Sequence, residues 1–467
     1  MSTFRLSPIA AIAGAALACL SACGSNDGNA SVPAPASTDA QPSPSAPTGV
    51  VPLIAAAAKP ISGGTDDYAD ILAAAATARR ILLGESSHGT SDYYRERGRL
   101  TERLIAEHGV NAVIIEGDWS PTFRVNLYVR GLGSDLSATE ALSGYTARFP
   151  RWMWRNVEFR DFVEWLRTRN LALPPAQRVG IYGMDVYDLY DAADQVVAYL
   201  EGRDPAAAAR VRQLYACFKP YARTPEAYGG AVATRSDTCR DEAEAAVAEV
   251  ARLPRPGDVE QAENHFGATR ASASVASAEA YYRVSYGRTA ESSWNLRDRR
   301  MADTLEAVAT HAEAQSATPG KTVSWSHNTH SGNAAATSAA LSGELNLGQL
   351  MRERHGDAAL LVGFFSYSGT VFAAPRWGDE GRVYTMRPAL EASHSGLFHQ
   401  TELPSFSLLL RGNQALEPAL RTSMLQRAIG VVYLPDTERQ SHYIQARLPE
   451  QFDAAVFFDQ SNAVTPL

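Results

Sequence analysis

Residues 80–109 decide the fold, and they read RILLGESSHGTSDYYRERGRLTERLIAEHG. The run opens with a short apolar segment bounded by glycine, which is typical of a buried strand. A polar loop follows, then a cap signal at Thr90 or Ser91 and a helical pattern that continues to His108, where Gly109 predicts the helix end. A strand, a loop and a helix in this order predict the start of a βαβ unit.

Further apolar runs recur along the chain, at residues 112–115, 179–182, 322–325, 359–364, 430–433 and 454–458. Continuous apolar strands that alternate with helices are the pattern of a buried, mostly parallel sheet. Residues 188–314 are different, since they are rich in Ala, Glu and Arg and contain no convincing strand. We therefore predict a three-layer α/β domain over residues 60–467, with helices flanking a central sheet and a mainly helical insertion at 188–314.

Composition narrows the classes of partner. The chain has 467 residues, of which 45% are hydrophobic, and this is ordinary for a globular protein. It carries 43 basic and 51 acidic side chains, for a formal net charge of −8. A nucleic-acid groove or an anionic membrane surface is not indicated, because each of these partners binds a basic face.

The N-terminal region has the features of an export signal. Arg5 is followed by an apolar run from Ile9 to Leu20, which is too short to span a bilayer, and then by small residues before Cys23. This arrangement resembles the lipobox of bacterial lipoproteins, with 1–22 as signal peptide and Cys23 as the lipid attachment residue. Ordinary cleavage of a secreted protein is the alternative. Residues 23–59 are rich in Ala, Pro and Ser and predict a disordered tether. We expect a protein of the bacterial cell envelope, held at the membrane only by its lipid and facing the periplasm or the surface.

Two later cysteines, Cys217 and Cys239, form an isolated pair. Outside the cytoplasm such a pair predicts a disulfide, and closing a loop of about 22 residues would stabilise the fold by about 3 kcal/mol. Two free buried thiols are the alternative.

Titratable side chains follow four of the predicted strands, and ligands in open parallel sheets bind beyond the carboxyl ends of the strands. The residues concerned are Glu85 and His88, Glu116, Asp185, and His327 and His330. A histidine beside a carboxylate suits general acid–base catalysis. Arg97, on the second turn of the first helix, is placed to reach a carboxylate or an oxyanion. The alternatives are structural: helix caps, salt bridges and an ordinary loop histidine.

Several common catalytic motifs are missing from the sequence. It contains no Gly-x-Ser-x-Gly, no His-Glu-x-x-His and no phosphate-binding Gly-x4-Gly-Lys-Ser/Thr loop. The two late cysteines have no CxxC partner and do not suggest zinc. A divalent metal held by Glu85, His88, Glu116 and His327 to His330 stays open as an alternative.

Taken together, these residues resemble the erythromycin esterase family. The resemblance rests on Gly84-Glu85-Ser86-Ser87-His88-Gly89, Arg97, Glu116 and His327-Asn328-Thr329-His330, and it extends to residues 152–156, 183–185, 294–298, 363–364 and 369–370. It spans about residues 60 to 460. The family's motif glycines and histidines are all present, whereas the leader and tether depart from it.

The resemblance implies hydrolysis of an ester, such as a macrolide lactone, and a role in antibiotic resistance. His88 matches the general base that activates water, Glu85 its orienting partner, and Glu116, Arg97 and Asp185 supporting positions. His327 and His330 match residues that polarise the carbonyl or protonate the leaving alcohol. The expected partner is a small-molecule ester or lactone, with no cofactor and no metal. Two alternatives remain: a metal-dependent hydrolase that uses His88, Glu116, His327 and His330 as ligands, and a non-catalytic surface lipoprotein that binds haem or another ligand.

Overall fold

The computed structural model describes residues 49–233, 235, 237–287 and 292–467. The predicted signal peptide, the predicted lipid attachment at Cys23 and the predicted tether as far as residue 48 lie outside the described residues.

Eleven strands are present among the described residues. They are β1 (Lys59–Pro60), β2 (Arg80–Leu83), β3 (Ala112–Ile115), β4 (Gly180–Gly183), β5 (Thr322–Trp325), β6 (Ala359–Ala373), β7 (Arg382–Met386), β8 (Ser405–Leu409), β9 (Met424–Arg427), β10 (Tyr443–Ala446) and β11 (Ala454–Ser461).

The described residues also form nineteen α-helices. They are α1 (Val50–Ala57), α2 (Ala69–Ala75), α3 (Ser91–His108), α4 (Trp119–Val129), α5 (Ala138–Ala141), α6 (Arg151–Trp154), α7 (Val157–Leu171), α8 (Tyr190–Glu201), α9 (Pro205–Tyr215), α10 (Pro225–Val232), α11 (Arg240–Ala251), α12 (Val259–Tyr286), α13 (Ser293–Ser316), α14 (Asn328–Ser331), α15 (Leu347–His355), α16 (His394–His399), α17 (Leu416–Ala419), α18 (Glu438–Ser441) and α19 (Leu448–Gln451). Each of these described helices is too short or too polar to cross a lipid bilayer.

The central sheet has the order β1–β8–β11–β6–β2–β5–β3–β4, and β7 pairs with the far end of β6. The six strands from β11 to β4 in this order are parallel, whereas β8 and β1 close one edge as antiparallel strands. Strands β9 and β10 form a separate antiparallel pair. The prediction of a mostly parallel sheet is therefore confirmed.

Side chains of the central strands alternate between two buried cores. Leu82 of β2 belongs to the core that also holds residues of α8 to α12, whereas Ile81 and Leu83 belong to the core that holds residues of α2, α3 and α7. Because successive residues of a strand point to opposite faces, a strand that is buried throughout must be covered by helices on both faces. This confirms the predicted three-layer α/β architecture.

Six of the seven apolar runs are strands as predicted, within one or two residues, although β6 and β11 extend further. The prediction of a strand at 430–433 is wrong. That segment makes single bridges instead of a ladder, because its backbone is shared between two neighbours: Ile429 exchanges hydrogen bonds with the loop around Ser86 and His88, and Val431 and Tyr433 with Ala374. It holds the loop after β2 in place.

The last part of the predicted tether is folded. Residues 50–57 form helix α1, in which Val50 and Ile54 are buried, and Lys59–Pro60 pairs with β8. The reason is the apolar run Val50-Val51-Pro52-Leu53-Ile54, which gains stability by burying apolar surface against the domain. The folded domain therefore begins before residue 60.

Between β4 and β5 the described residues form helices and connecting turns and contain no strand. Helices α8 to α13 occupy this stretch, and they cover one face of the sheet. Within it a disulfide joins Cys217, in the turn after α9, to Cys239, the residue before α11, across a separation of 22 residues. The predicted disulfide is confirmed.

Removing this disulfide should weaken the fold. We expect the Cys217→Ser/Cys239→Ser double variant to lose about 3 kcal/mol of unfolding free energy, because the unfolded chain regains the entropy of an open loop. Urea denaturation measures the difference. Adding a reductant should lower the stability of the wild type and leave the double variant unchanged, and equal stability of both proteins without reductant would contradict the prediction.

Candidate active site

The carboxyl ends of β2, β5, β3 and β4 lie side by side in the sheet. The residues just after these strands therefore meet at one edge. The structure brings together all seven predicted residues and buries each of them: Glu85, His88, Arg97, Glu116, Asp185, His327 and His330.

Glu85 is the centre of a first cluster. Its Oε1 accepts a hydrogen bond from His88 Nδ1 at 2.8 Å, and its Oε2 accepts one from Arg97 Nη2 at 2.6 Å. The guanidinium of Arg97 is fully buried and lies over the rings of Tyr94 and Trp325, 4.6 and 5.0 Å from their centroids. Because the carboxylate holds the proton on Nδ1 of His88, the lone pair of the imidazole is on Nε2, as a general base requires.

Two glycines allow the backbone of this loop to pack closely. A Cβ on Gly84 would lie 2.0 Å from Asn328 Oδ1, and a Cβ on Gly89 would lie 1.8 Å from the carbonyl oxygen of Phe372. The backbone N–H of Asn328 also donates to the backbone carbonyl of Glu85 at 2.7 Å. The glycines of the motif are thus explained by close backbone approach, which fixes the position of Glu85 and His88.

A second cluster surrounds Arg297 of α13. Its Nε and Nη2 each donate to the carboxylate of Asp185 at 2.8 Å, and Nη2 also donates to Glu116 Oε1 at 2.8 Å. Its Nη1 donates to Nε2 of His330 at 2.9 Å. The other nitrogen of His330, Nδ1, donates to Asp298 at 2.9 Å, so that both ring nitrogens are engaged.

His327 connects the two clusters. Its backbone N–H donates to Glu116 Oε2 at 2.8 Å, and its ring lies 4.9 Å from the ring of His88, centroid to centroid. Its Nδ1 accepts a hydrogen bond from the amide of Thr329. A displacement of either cluster would therefore shift residues of the other.

The electrostatics of these groups follow from burial and charge. Burial alone would raise the pKa of Glu116, but Arg297 and the backbone N–H of His327 hold it well below its usual range. Burial holds the pKa of His327 well below its usual range, so this imidazole is neutral. Burial would lower the pKa of Arg297, yet Asp185 keeps it well above its usual value. Glu116 and Arg297 are therefore a charged pair at neutral pH.

A small cavity of about 60 Å³ opens beside both clusters. Of the predicted residues, His88, Glu116 and Asp185 line it, whereas Glu85, Arg97, His327 and His330 lie behind them. Its remaining walls are largely aromatic and basic: Tyr145, Arg148, Phe149, Trp154, Tyr187, Arg297 and Trp377. Phe149 and Trp377 meet edge to face at 4.9 Å, and the side chain of Trp377 is 42% exposed, so this pair borders the opening.

A second cavity of about 410 Å³ adjoins the first. The two share Asp118, Arg148, Phe149, Tyr187 and Trp377, and the second extends along α8 and α10 of the insertion. The insertion thus forms part of the wall of the space next to His88.

Arg297 and Asp298 were not predicted as members of the site. Both lie in the run Trp294-Asn295-Leu296-Arg297-Asp298, which carried part of the family resemblance but was given no role. Trp294 also packs against the site, because it stacks on the ring of His330 at 4.5 Å. The place of both charged residues in that run was the available signal.

Two of the side chains proposed as metal ligands are engaged by an arginine. The guanidinium of Arg297 lies between Glu116, Asp185 and His330 and binds all three. Within the ranges 49–233, 235, 237–287 and 292–467, no three His, Cys, Asp or Glu side chains are grouped so that they could hold a metal ion.

Comparisons with known proteins agree with this architecture. A family model described as erythromycin esterase matches residues 105–461. Among solved structures, a succinoglycan biosynthesis protein is 18% identical with a TM-score of 0.70, covering 89% of this chain and 97% of that one. A protein from Bacillus cereus is 18% identical with a TM-score of 0.69, covering 90% and 98%. A mutant of the erythromycin esterase EreC in its open conformation is 16% identical with a TM-score of 0.54, covering 85% and 94%. At these identities the structural likeness shows a shared fold.

Proposed function

Since this chain belongs to the erythromycin esterase family, whose membership supports a hydrolase-type function, we propose that it hydrolyses an ester or lactone with water activated by His88. The observation that carries the proposal is the buried chain of hydrogen bonds from Arg97 through Glu85 to His88, whose imidazole lines the cavity. Of these three groups only His88 lies at the cavity wall, with Glu85 and Arg97 supporting it from behind.

In the proposed reaction, Nε2 of His88 takes a proton from water while the water oxygen bonds to the carbonyl carbon. Glu85 balances the imidazolium that forms, and Arg97 holds Glu85 in place. The bond between the carbonyl carbon and the ester oxygen then breaks, and the imidazolium returns its proton to the leaving alkoxide. One water is consumed, and a lactone yields one hydroxy acid.

Arg297 is the group we propose to stabilise the oxyanion. It lines the cavity, and Asp185, Glu116 and His330 fix its guanidinium from three sides. A cation fixed in advance costs no reorganisation when negative charge develops on the carbonyl oxygen. His327 and His330, expected from the resemblance to act on the substrate directly, are assigned here as positioning residues, because neither lines the cavity.

The adjoining cavities support a drug-sized substrate. Single ligand sites usually occupy about 300 to 1,000 Å³, and here a second space of about 410 Å³ continues from the catalytic one. Its walls include the aromatic rings of Tyr187, Tyr190 and Tyr282. A macrolide lactone is the substrate we propose, with antibiotic inactivation as the role.

The test is mass spectrometry of erythromycin incubated with the purified protein. The proposal predicts a product heavier by one water, formed by the wild type and absent with His88→Gln. His108→Gln is the matched control, because His108 lies at the opposite end of α3 from the loop that holds His88. If the mass of erythromycin does not change, a panel of simpler esters and lactones separates a different substrate from a lack of hydrolysis.

Hydrolysis should be insensitive to chelators. Glu116 and His330, two of the side chains that would serve as ligands, are bound to Arg297, and the proposed reaction assigns no step to a metal. We expect unchanged rates after dialysis against EDTA and 1,10-phenanthroline. Loss of activity on chelation, with recovery on adding zinc or manganese, would favour the metal-dependent alternative.

We also propose that the mature protein is anchored through Cys23 in the cell envelope, on the sequence pattern before that residue. Cys23→Ser should move the protein from the membrane fraction to the soluble fraction of cells. Cys19→Ser is the matched control, because it changes a cysteine of the same leader and should leave fractionation unchanged. Equal membrane association of the Cys23→Ser variant and the wild type would contradict the anchor.

A further inference from the structure

A third cavity with a different character lies between α11, α12 and α13. It is open to solvent at Arg299 and Arg300, has a volume of about 650 Å³, and shares no lining residue with the catalytic cavity or its neighbour. Its charged lining residues are Arg240, Arg270, Arg283, Arg299 and Arg300, with Glu244, Glu279 and Asp303. Five arginines against three carboxylates form a basic cavity in a chain whose formal net charge is −8.

The three carboxylates of the basic cavity are already paired. Glu244 accepts from Arg240 at 2.9 Å, and Glu279 accepts from Arg283 at 2.9 Å. Asp303 lies 3.3 Å from Arg354, which is not a lining residue.

The remaining three arginines have no such partner. Within the described part of the chain, Arg270, Arg299 and Arg300 make no ion pair at 4.0 Å or less. Ion pairs among the described residues therefore do not balance the positive charge of the cavity.

Arg270 is the most constrained of the three. Its Nη2 donates to Thr304 Oγ1 at 2.7 Å, but its Nε is buried and has no hydrogen-bond partner among the described residues. Burial lowers the pKa of Arg270 to about 10, and Arg300 adds to the shift while Asp303 opposes it. A guanidinium that is largely buried without an ion-pair partner among the described residues costs free energy, and an anion in the cavity would offset part of that cost.

We propose that the basic cavity binds a phosphate-type oxyanion through Arg270, Arg299 and Arg300. The planar guanidinium group presents parallel N–H donors that match two oxygens of a phosphate, and this pairing is stronger than one between neutral groups. The phosphate group can come from a soluble anion or from the headgroup of an anionic lipid, since both offer the same oxygens.

The experiment measures thermal unfolding and calorimetric binding of the full folded protein with inorganic phosphate and pyrophosphate, at constant ionic strength set by sodium chloride. Saturating anion should raise Tm by a few degrees, because a ligand that binds only the folded state stabilises it. Arg299→Glu/Arg300→Glu should weaken binding at least about tenfold, since two cationic contacts become repulsive. Arg421→Glu, an exposed arginine elsewhere with 62% of its side chain accessible, is the matched control.

Each outcome decides the proposal. Equal stabilisation by chloride at the same ionic strength would show general screening of the arginines and overturn it, as would unchanged affinity in the double variant with native circular dichroism. A vesicle arm with phosphatidylcholine and phosphatidic acid separates the sources. Vesicle binding that is lost in the double variant and competed by pyrophosphate indicates a lipid headgroup, and pyrophosphate binding without vesicle binding indicates a soluble anion.

Discussion

Replacing His88 with alanine is expected to lower kcat for ester hydrolysis by about 10² to 10⁴, which is the usual contribution of a general base. The side chain is buried at the cavity wall and hydrogen-bonded to Glu85, so its loss removes the proton acceptor for water. The measurement is the turnover number with whichever ester the product analysis identifies. Circular dichroism and Tm serve as the check that the variant is folded.

Two further variants distinguish the general base from the residues that hold it in place. Glu85→Gln should cost less than His88→Ala if the carboxylate only orients the imidazole, and more if it is itself the base. Arg97→Ala should also lower kcat sharply, because Glu85 would lose the guanidinium that holds it. Near-normal turnover in folded His88→Ala would refute the mechanism and favour the binding or metal-dependent alternatives.

Replacing Arg297 with methionine should have the largest effect on stability, a loss of about 3 to 5 kcal/mol in the free energy of unfolding, because it leaves buried charge without a partner. Glu116 and Asp185 are both buried and both accept hydrogen bonds from this guanidinium. Hydrolysis should be lost as well, since the same group is the proposed oxyanion partner. Urea denaturation and a turnover assay measure the two effects.

The pH dependence of that variant gives a sharper check. Without Arg297, burial raises the folded-state pKa of the two carboxyl groups above their unfolded values, so protonation favours the folded state. The stability deficit relative to the wild type should therefore shrink as the pH falls from 8 to 5. Arg95→Met is the matched control, because Arg95 is 53% exposed and its ion pair with Asp92 should contribute less than about 1 kcal/mol. A deficit that does not vary with pH would contradict the role assigned to the charges.

Much of the site was predictable because parallel strands place their following residues at one edge. Glu85, Glu116, Asp185 and His327 each follow a strand in sequence, and this alone puts them together. Arg297 was not predictable in this way. It comes from a helix of the insertion, 112 residues from Asp185, and nothing in the local pattern tells which face of that helix meets the sheet.

The misassigned segments have a common physical cause. Strands β7 to β10, which were not predicted, are short and antiparallel, and β7 is largely exposed. They therefore lack the continuous apolar pattern that revealed the parallel strands. Residues 430–433 show that apolar pattern but find two different backbone partners and form no ladder. Pairing partners far away in sequence, rather than local composition, determine both outcomes.

Helix α13 bears on how kinetic data for this protein should be collected. Arg297 and Asp298 face the catalytic cluster, whereas the next two residues, Arg299 and Arg300, line the basic cavity. Successive residues of an α-helix are rotated by about 100°, which is how one short stretch serves two separate spaces. Buffer anions that occupy the basic cavity would act on the same turn of helix that carries Arg297. Rates of different variants should therefore be compared in one buffer free of phosphate and sulfate, and the identity of the counter-ion should be treated as an experimental variable.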